Sequence, residues 1–457
     1  MLWCFYVPKM SHRFVYNEDV NKRNLLFGGI FMNSFEKVIG YETIKNELMQ
    51  IVDMFHNRER YETLGARMPS GVLLHGKPGI GKTLLAKCFI KECGLTAYTL
   101  RNNKGGDKFV DEITKTFEDA KNNAPAIIFL DDMDKFSNED EYHRDADEYV
   151  AVQAGIDDVK GHNVFVIATT NDMRKLPDSL IRQGRFDKII YMNRPSNEDA
   201  AKIIKHYLKN KKLSDDIDFN DICKMMSYSS CASLETLINE AAIRAGYKKK
   251  DYIDMNDLVE TVLRNQYESP DDLMQMDKEE VKKVAIHEAG HLVVSEVIMP
   301  GSVGLASVRT TGRSRTAGFI HKCEELKRRP YEIMCYLAGK VATEMYYSDS
   351  CASGCWSDMK CVIDLVRDGI SESGTNGIGM IDVANRIFPN TSESLTARNE
   401  AVTQAEIERY IFETRNILLK NREFLEKTTN ALVEKKTLLY SDIKSIRESV
   451  TINKYIA

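Results

Sequence analysis

The sequence predicts an α/β unit built on a parallel sheet, a helical lid attached to that unit, and a second, mainly α-helical domain that carries one small β-sheet. Three patterns lead there. Between residues 34 and about 194, short apolar runs alternate with amphipathic stretches. Residues 196–265 then lose those runs and become helical and Lys-rich. From 278 to about 449 the pattern is helical again, interrupted once at 302–321 by SVGLASVRTTGRSRTAGFIH, which reads as a hairpin or small sheet.

The apolar runs are GVLLH (71–75), TAYTL (96–100), AIIFL (126–130), VFVIAT (164–169) and KIIYM (188–192). Continuous apolar runs between amphipathic helices mark strands buried on both faces, as in a parallel sheet covered by helices. NQYESPDDLMQMD (265–277) is polar and holds a proline, and reads as a linker. The expected division is an extension over 1–33, an α/β domain over 34–195, a lid over 196–266, a linker over 267–277, a helical domain over 278–449 and a tail over 450–457.

Composition narrows the function. The 457 residues are 43% apolar and 29% charged, ordinary for a globular chain. A net charge of −5 leaves no basic footprint for nucleic acid. The ten cysteines have no framework spacing and no secretory signal is visible, so they read as reduced thiols in a cytosol-like compartment. The opening MLWCFYV is too short to span a bilayer, and no run of eighteen apolar residues occurs. The expectation is a soluble, cytoplasmic chain with no integral membrane anchor.

GVLLHGKPGIGKTLLAK reads as strand, glycine loop and helix. The loop residues Gly76, Lys77, Pro78, Gly79, Ile80, Gly81, Lys82, Thr83 and Leu84 form a phosphate cradle. Its glycines turn backbone N–H groups toward phosphates, Lys82 reaches the β and γ oxygens, and Thr83 holds Mg²⁺. The helix starting at Lys82 points its positive end at the same anion. AIIFLDDMD ends a buried strand in two carboxylates. Asp131 is placed to hold Mg²⁺ through water, and Asp132 stands where a glutamate usually orients the attacking water. VIATTND ends another strand in Asn171, beside the γ-phosphate, and LPDSLIRQGRFD presents Arg182 and Arg185 as fingers toward a neighbour's nucleotide. GKPGIGKT, IIFLDD, ATTN and RQGRFD together resemble the AAA+ ATPases. That resemblance implies ATP as ligand, a ring usually of six subunits, sites at subunit boundaries, Arg182 and Arg185 acting in trans, and 196–265 as the lid over the nucleotide.

VAIHEAGHLVV (284–294) carries H-E-x-x-H. Asp277 and Glu280 make a D-x-x-E capping box, so a helix should start there and end before Pro300-Gly301. His287 and His291 then lie one turn apart on one face and can share a metal, and Glu288 is rotated about 100° toward its water. Gly290 leaves space beside the site. A hydrolytic zinc site needs a third protein ligand and an open position. CASGCWSDMKCVIDLV offers Asp358, with Cys351, Cys355 and Cys361 nearby. Thiolates would tend to close the site, so the chemistry favours Asp358.

An AAA+ module followed by HEAGH and a Ser-Asp helix start resembles the FtsH family of ATP-dependent zinc metalloproteases, over about 34–445. SFEKVIGYETIKNELMQIVDMF looks like the family's entry to its ATPase module, SLETLINEAA like the end of its lid, YLAGKVATEMYY like its helix after the small sheet, and WSDMK like the segment carrying its aspartate ligand. The resemblance implies Zn²⁺ held by His287, His291 and Asp358, Glu288 as general base, protein or peptide substrates, and a strand near TAGFIH that pairs with them.

Four departures from that pattern stand out. No transmembrane helix is expected before the ATPase module in the residues given. The aromatic-apolar-glycine pore tripeptide is replaced by Gly105-Gly106-Asp107, with Phe109-Val110 the only apolar pair near, itself compatible with helix core. Asp132 is one methylene shorter than the expected glutamate, which predicts ATP binding with slowed hydrolysis. DKFSNEDEYHRDADEYV lacks the Gly- and Arg-rich second loop, and Cys231 stands where the lid's glycine is expected. Three functions compete: a soluble hexameric ATP-dependent zinc metallopeptidase, a zinc peptidase with a slow, weakly coupled ATPase, and a nonproteolytic AAA+ remodeller or scaffold.

Overall fold

The structure, a computed structural model, describes residues 34–102, 107–137, 146–269, 276–312, 317–326, 328–347, 352–370 and 393–455. The pore tripeptide's Gly105 and Gly106, most of the acidic segment after Ser137, Cys351, and the extension 1–33 lie outside the described residues.

Strands β1 (Gly71–His75), β2 (Thr96–Leu100), β3 (Ala126–Leu130), β4 (Val164–Thr170) and β5 (Lys188–Tyr191) form one parallel sheet in the order β2-β3-β4-β1-β5. The continuous apolar runs are explained by its two covered faces. On one face Val72, Leu74, Ile127, Phe129, Phe165 and Ile167 pack with α1 (Glu42–His56) and α3 (Lys82–Cys93). On the other, Leu73, Ile128, Leu130 and Val166 pack with α4 (Asp107–Asn122) and α5 (Asp147–Asp158). A short helix, α2 (Arg58–Thr63), leads from α1 toward β1. Phe109, of the apolar pair near the expected pore tripeptide, is fully buried on α4 with its ring 5.0 Å from that of Phe136, so it is core.

The lid is α6 (Asn197–Leu208), α7 (Phe219–Met225), α8 (Cys231–Tyr247) and α9 (Met255–Tyr267). Each begins at a side-chain cap, Ser196, Asp218, Ser230 or Asp254, which satisfies backbone N–H groups of its first turn. The lid touches the phosphate loop directly, because the Ala232 N–H donates to the Gly79 carbonyl at 3.0 Å.

In the second half, α10 (Lys278–Ile298) starts at the capping box expected from the sequence: Asp277 accepts from the Glu280 N–H at 2.8 Å, and Glu280 accepts from the Asp277 N–H at 3.0 Å. From Ala285 to Val297 the helix is buried on every face, and it forms the axis of the domain. Packed around it are α11 (Arg329–Tyr346), α12 (Ala352–Asp368), α13 (Glu393–Lys420), α14 (Arg422–Lys435) and α15 (Tyr440–Glu448). The hairpin expected at 302–321 is β6 (Val303–Thr310) and β7 (Ala317–Lys322), paired antiparallel. A second interruption of the helices was not legible. Lys436 turns the chain at φ 65°, and β8 (Thr437–Leu439) pairs antiparallel with β6, giving the order β7-β6-β8.

The small sheet and the lid share a core. Leu305 of β6 is fully buried among lid residues Leu234, Leu258 and Val262, with Phe319 and Leu439 beside it. Polar contacts seal the junction: Arg309 donates to both oxygens of Glu260 at 2.9 and 2.6 Å, and Ser441 donates to Asp221 through its N–H at 2.8 Å and its hydroxyl at 2.6 Å. No helix among the described residues is long and apolar enough to cross a membrane.

Candidate functional site

Two sets of polar residues stand out. The first lies at the C-terminal ends of β1, β3 and β4, which the strand order sets side by side. The loop after β1 bends through Gly76, Gly79 and Gly81, all at positive φ. A side chain at Gly76 would also collide with the carbonyl oxygen of Met192. Lys82 begins α3 and reaches back, donating to the Gly76 carbonyl at 2.7 Å, the Lys77 carbonyl at 2.9 Å and the Asn171 side-chain oxygen at 2.8 Å. Thr83 donates to Asp131 at 2.8 Å, and Thr169 donates to the same carboxylate oxygen at 2.9 Å. Hydroxyl and carboxylate therefore meet as a magnesium pair would.

Asp132 is held differently. One of its oxygens accepts from Lys135 at 3.0 Å and Arg101 at 3.3 Å, and the other from Asn171 at 3.3 Å. Burial alone would raise its pKa, but the Lys135 hydrogen bond and the Lys135 and Arg101 charges outweigh it and hold the carboxyl below its ordinary range. Neither cation was singled out in the sequence. Arg101 is separated from Asp132 by a strand pairing, and no motif flags either residue.

The structure separates the two arginines. Arg182 is exposed. Arg185 is buried and donates within its own chain to Asp157 at 2.7 Å and to Gln153 at 3.0 Å. Cys231 heads α8 against the phosphate loop, its sulfur 3.7 Å from the Ile80 carbonyl oxygen.

The second set lies on α10. His287 and His291 bring their Nε2 atoms to 3.0 Å. Asp358, from the second turn of α12, places one oxygen 3.1 Å from His291 Nε2 and 3.3 Å from His287 Nε2. Four-coordinate zinc with ligands about 2.0–2.2 Å away needs donor separations of roughly 3.3 Å. Proton placement supports the same fit. His291 Nδ1–H donates to the Cys335 carbonyl at 2.6 Å, which leaves a lone pair on Nε2 facing the other two donors. His287 Nδ1 is buried without a hydrogen-bond partner among the described residues, so no other contact competes with a cation for the His287 ring. Among the described residues the cluster contains no thiol, so the choice of Asp358 over Cys355 and Cys361 matches the geometry.

Glu288 points into the same cavity, of about 380 Å³, lined also by Gly318, Ile320, Lys322, Tyr336 and Ser357. Burial pushes its carboxyl up to about 8, and no described residue hydrogen-bonds it. A nearby divalent ion would restore the carboxylate.

Two glycines that the sequence reading did not assign to the site shape it. A side chain at Gly339 of α11 would collide with both imidazoles, and one at Gly318 of β7 would collide with the Glu288 carboxyl. Gly290 serves a different purpose from the one expected. The space above it is filled by α11, since a Cβ there would stand 2.5 Å from the Ala338 carbonyl oxygen and 2.6 Å from the Ala342 side chain.

Comparison with known proteins covers both halves of the chain. Residues 72–194 match the ATPase family associated with various cellular activities, and residues 274–446 match peptidase family M41. The chain is 31% identical over 448 residues to the ATP-dependent zinc metalloprotease FtsH of Streptobacillus moniliformis, covering 92% of this chain and 65% of that one. It is 28% identical over 433 residues to FtsH 2 of Phytoplasma mali, covering 90% and 62%. It thus spans slightly less than two thirds of the length of those two relatives. It is 30% identical over 449 residues to FtsH of Caldicellulosiruptor bescii, covering 90% of this chain and 72% of that one. With both domain matches in the same order and similarity along nine tenths of its length, the chain belongs to the FtsH family of ATP-dependent zinc metalloproteases.

Proposed function

We propose that this chain hydrolyses peptide bonds in unfolded or threaded proteins at a zinc centre held by His287, His291 and Asp358, and that its α/β domain binds ATP and Mg²⁺ to drive substrate delivery. The observation that carries this reading is the convergence of two buried imidazoles and a part-buried carboxylate with a buried Glu288 that no described residue hydrogen-bonds, all in one cavity. A zinc ion bound there would supply a Lewis acid that acidifies water and polarises the scissile carbonyl.

The chain's own residues do the rest. Among the described residues β7 is an edge strand, so its outer backbone edge can pair with an extended peptide and lay its carbonyl across the cleft. Gly318 lets that strand lie against the base. Glu288 takes the attacking water's proton and returns it to the leaving amine nitrogen.

In the ATPase half, the loop amides and Lys82 bind the phosphates, and Thr83 and Asp131 hold the magnesium. Arg182, being exposed, is the finger that reaches a neighbouring subunit in a homo-hexamer. Arg185, tied to Asp157, positions the segment that presents it. The units are an α/β domain at 34–195, a lid at 196–266 and a peptidase domain at 278–449.

Cleavage of casein and of an unfolded peptide, with ATP, with ADP and without nucleotide, tests this reading. No cleavage by zinc-loaded protein in any condition would refute it. One observation favours the slow-ATPase version of the same function: both Asp132 oxygens are engaged by Arg101, Lys135 and Asn171, leaving it poorly placed to orient water.

A further inference from the structure

The two faces of β7 have different neighbours. Phe319 stacks on Tyr267 of the lid with ring centroids 4.1 Å apart, and His321 bonds Ser227 at 2.9 Å and Tyr267 at 2.6 Å, both also lid residues. The alternate residues Gly318, Ile320 and Lys322 line the metal cleft, which Ala317 and Phe319 also border. Lys322 is half-buried, with its ammonium 5.1 Å from the ring centre of Tyr336, another cleft residue. Among the described residues it forms no ion pair. Lys322 and Tyr336 also line an adjoining cavity, together with Arg194, Glu324, Glu325 and Glu332. Glu324 is already met by Lys224 at 3.5 Å and Asn197 at 3.1 Å.

We propose that Lys322 is a specificity-determining residue of the cleft, selecting substrates that carry an aspartate or glutamate side chain a few residues from the scissile bond. The proposal rests on the peptidase reading above. A peptide paired along β7 runs parallel or antiparallel to it and advances about 3.3 Å per residue. Gly318 marks the catalytic base and Lys322 lies four residues further on, so the favoured acid falls three or four positions from the cleaved bond. A half-buried ammonium braced on an aromatic face, with no carboxylate bound to it among the described residues, attracts a substrate carboxylate and disfavours a substrate lysine.

The test uses end-blocked fluorogenic peptides in which a single Glu or Lys is scanned through both sides of the cleavage site, with the full-length zinc-loaded chain in ATP. Cleavage is followed as kcat/KM, and binding of the same peptides to Glu288→Gln is measured in parallel. The expected result is a Glu-over-Lys preference of about three- to tenfold at one position, shrinking with added salt. Lys322→Arg keeps the preference, Lys322→Met removes it and Lys322→Glu inverts it. A preference unchanged in Lys322→Glu and Lys322→Met, or a basic preference at that position in the natural chain, would overturn the proposal. Cleavage without any charge preference rejects the role of Lys322 and leaves the peptidase reading standing. Lys322-dependent binding without cleavage does the reverse.

Discussion

Two carboxyl groups in this chain stand where a water molecule would be activated, and their surroundings are opposite. Asp132, at the end of β3, is 17% exposed and accepts hydrogen bonds from two cations and an amide, which hold it below its ordinary pKa. Glu288, inside α10, is 4% exposed, has no hydrogen-bond partner among the described residues, and is pushed up to about 8 by burial. An acid restrained by cations gains little from approaching water. An acid kept dry and unpaired becomes a strong base once a metal stabilises its charge. In the function proposed above, this contrast sets a peptidase centre prepared for chemistry against an ATPase centre held back.

The largest effect is expected at the unpaired acid. Glu288→Gln should lower peptide cleavage by roughly 10³-fold, within the range of general-base contributions, while zinc content stays the same. Unchanged cleavage would remove Glu288 from the mechanism and erase the contrast. Gly339→Ala should come next, because the added methyl meets both imidazoles. Zinc affinity, measured by chelator competition, should fall about 10- to 100-fold, as for other disturbances of a ligand's support. Affinity equal to that of the natural chain would mean that α11 can retreat from α10.

At the restrained acid the expected change has the opposite sign. Asp132→Glu should raise ATP turnover on the order of tenfold by restoring reach to water, and Arg101→Ala or Lys135→Ala should each raise it about two- to fivefold, as expected for exposed ion pairs. If all three variants leave turnover flat, neither the missing methylene nor the two cations limit hydrolysis.

A further effect, on stability instead of turnover, concerns the junction between the halves. Burial lowers the pKa of His321 from 6.5 to about 4. The unfolded chain therefore binds more protons than the folded one between those values. The neutral ring costs nothing above pH 6.5, and stability falls as pH drops from 6.5 to about 4, by at most about 1.4 kcal/mol per pH unit. His321→Gln should flatten that part of the stability–pH curve relative to the natural chain. Parallel curves would show that His321 does not titrate with unfolding.

How much of this was legible in the sequence follows from how local each feature is. The phosphate loop, the acid strand and H-E-x-x-H are contiguous, and their spacing maps directly onto strand ends and one helical turn. Asp358 lies 67 residues from His291 and was reachable only through the chemistry of an open zinc site and a family likeness. Gly339, Gly318 and the Cys335 carbonyl act through helix and strand packing, which no spacing rule encodes. The cis bonding of Arg185 depends on how α5 packs, and the restraint of Asp132 by Arg101 on which strands become neighbours. β8 was missed because three residues between two helices carry too little pattern to register as a strand.

The most direct measurement is zinc stoichiometry and unfolded-protein cleavage on the same preparation, before and after chelation and zinc readdition, in ATP, in ADP and without nucleotide. One tightly held zinc per chain, with cleavage that disappears and returns with it, is the expected result. Zinc-replete protein that cleaves nothing in any nucleotide condition, or cleavage that survives complete removal of the metal, would contradict it.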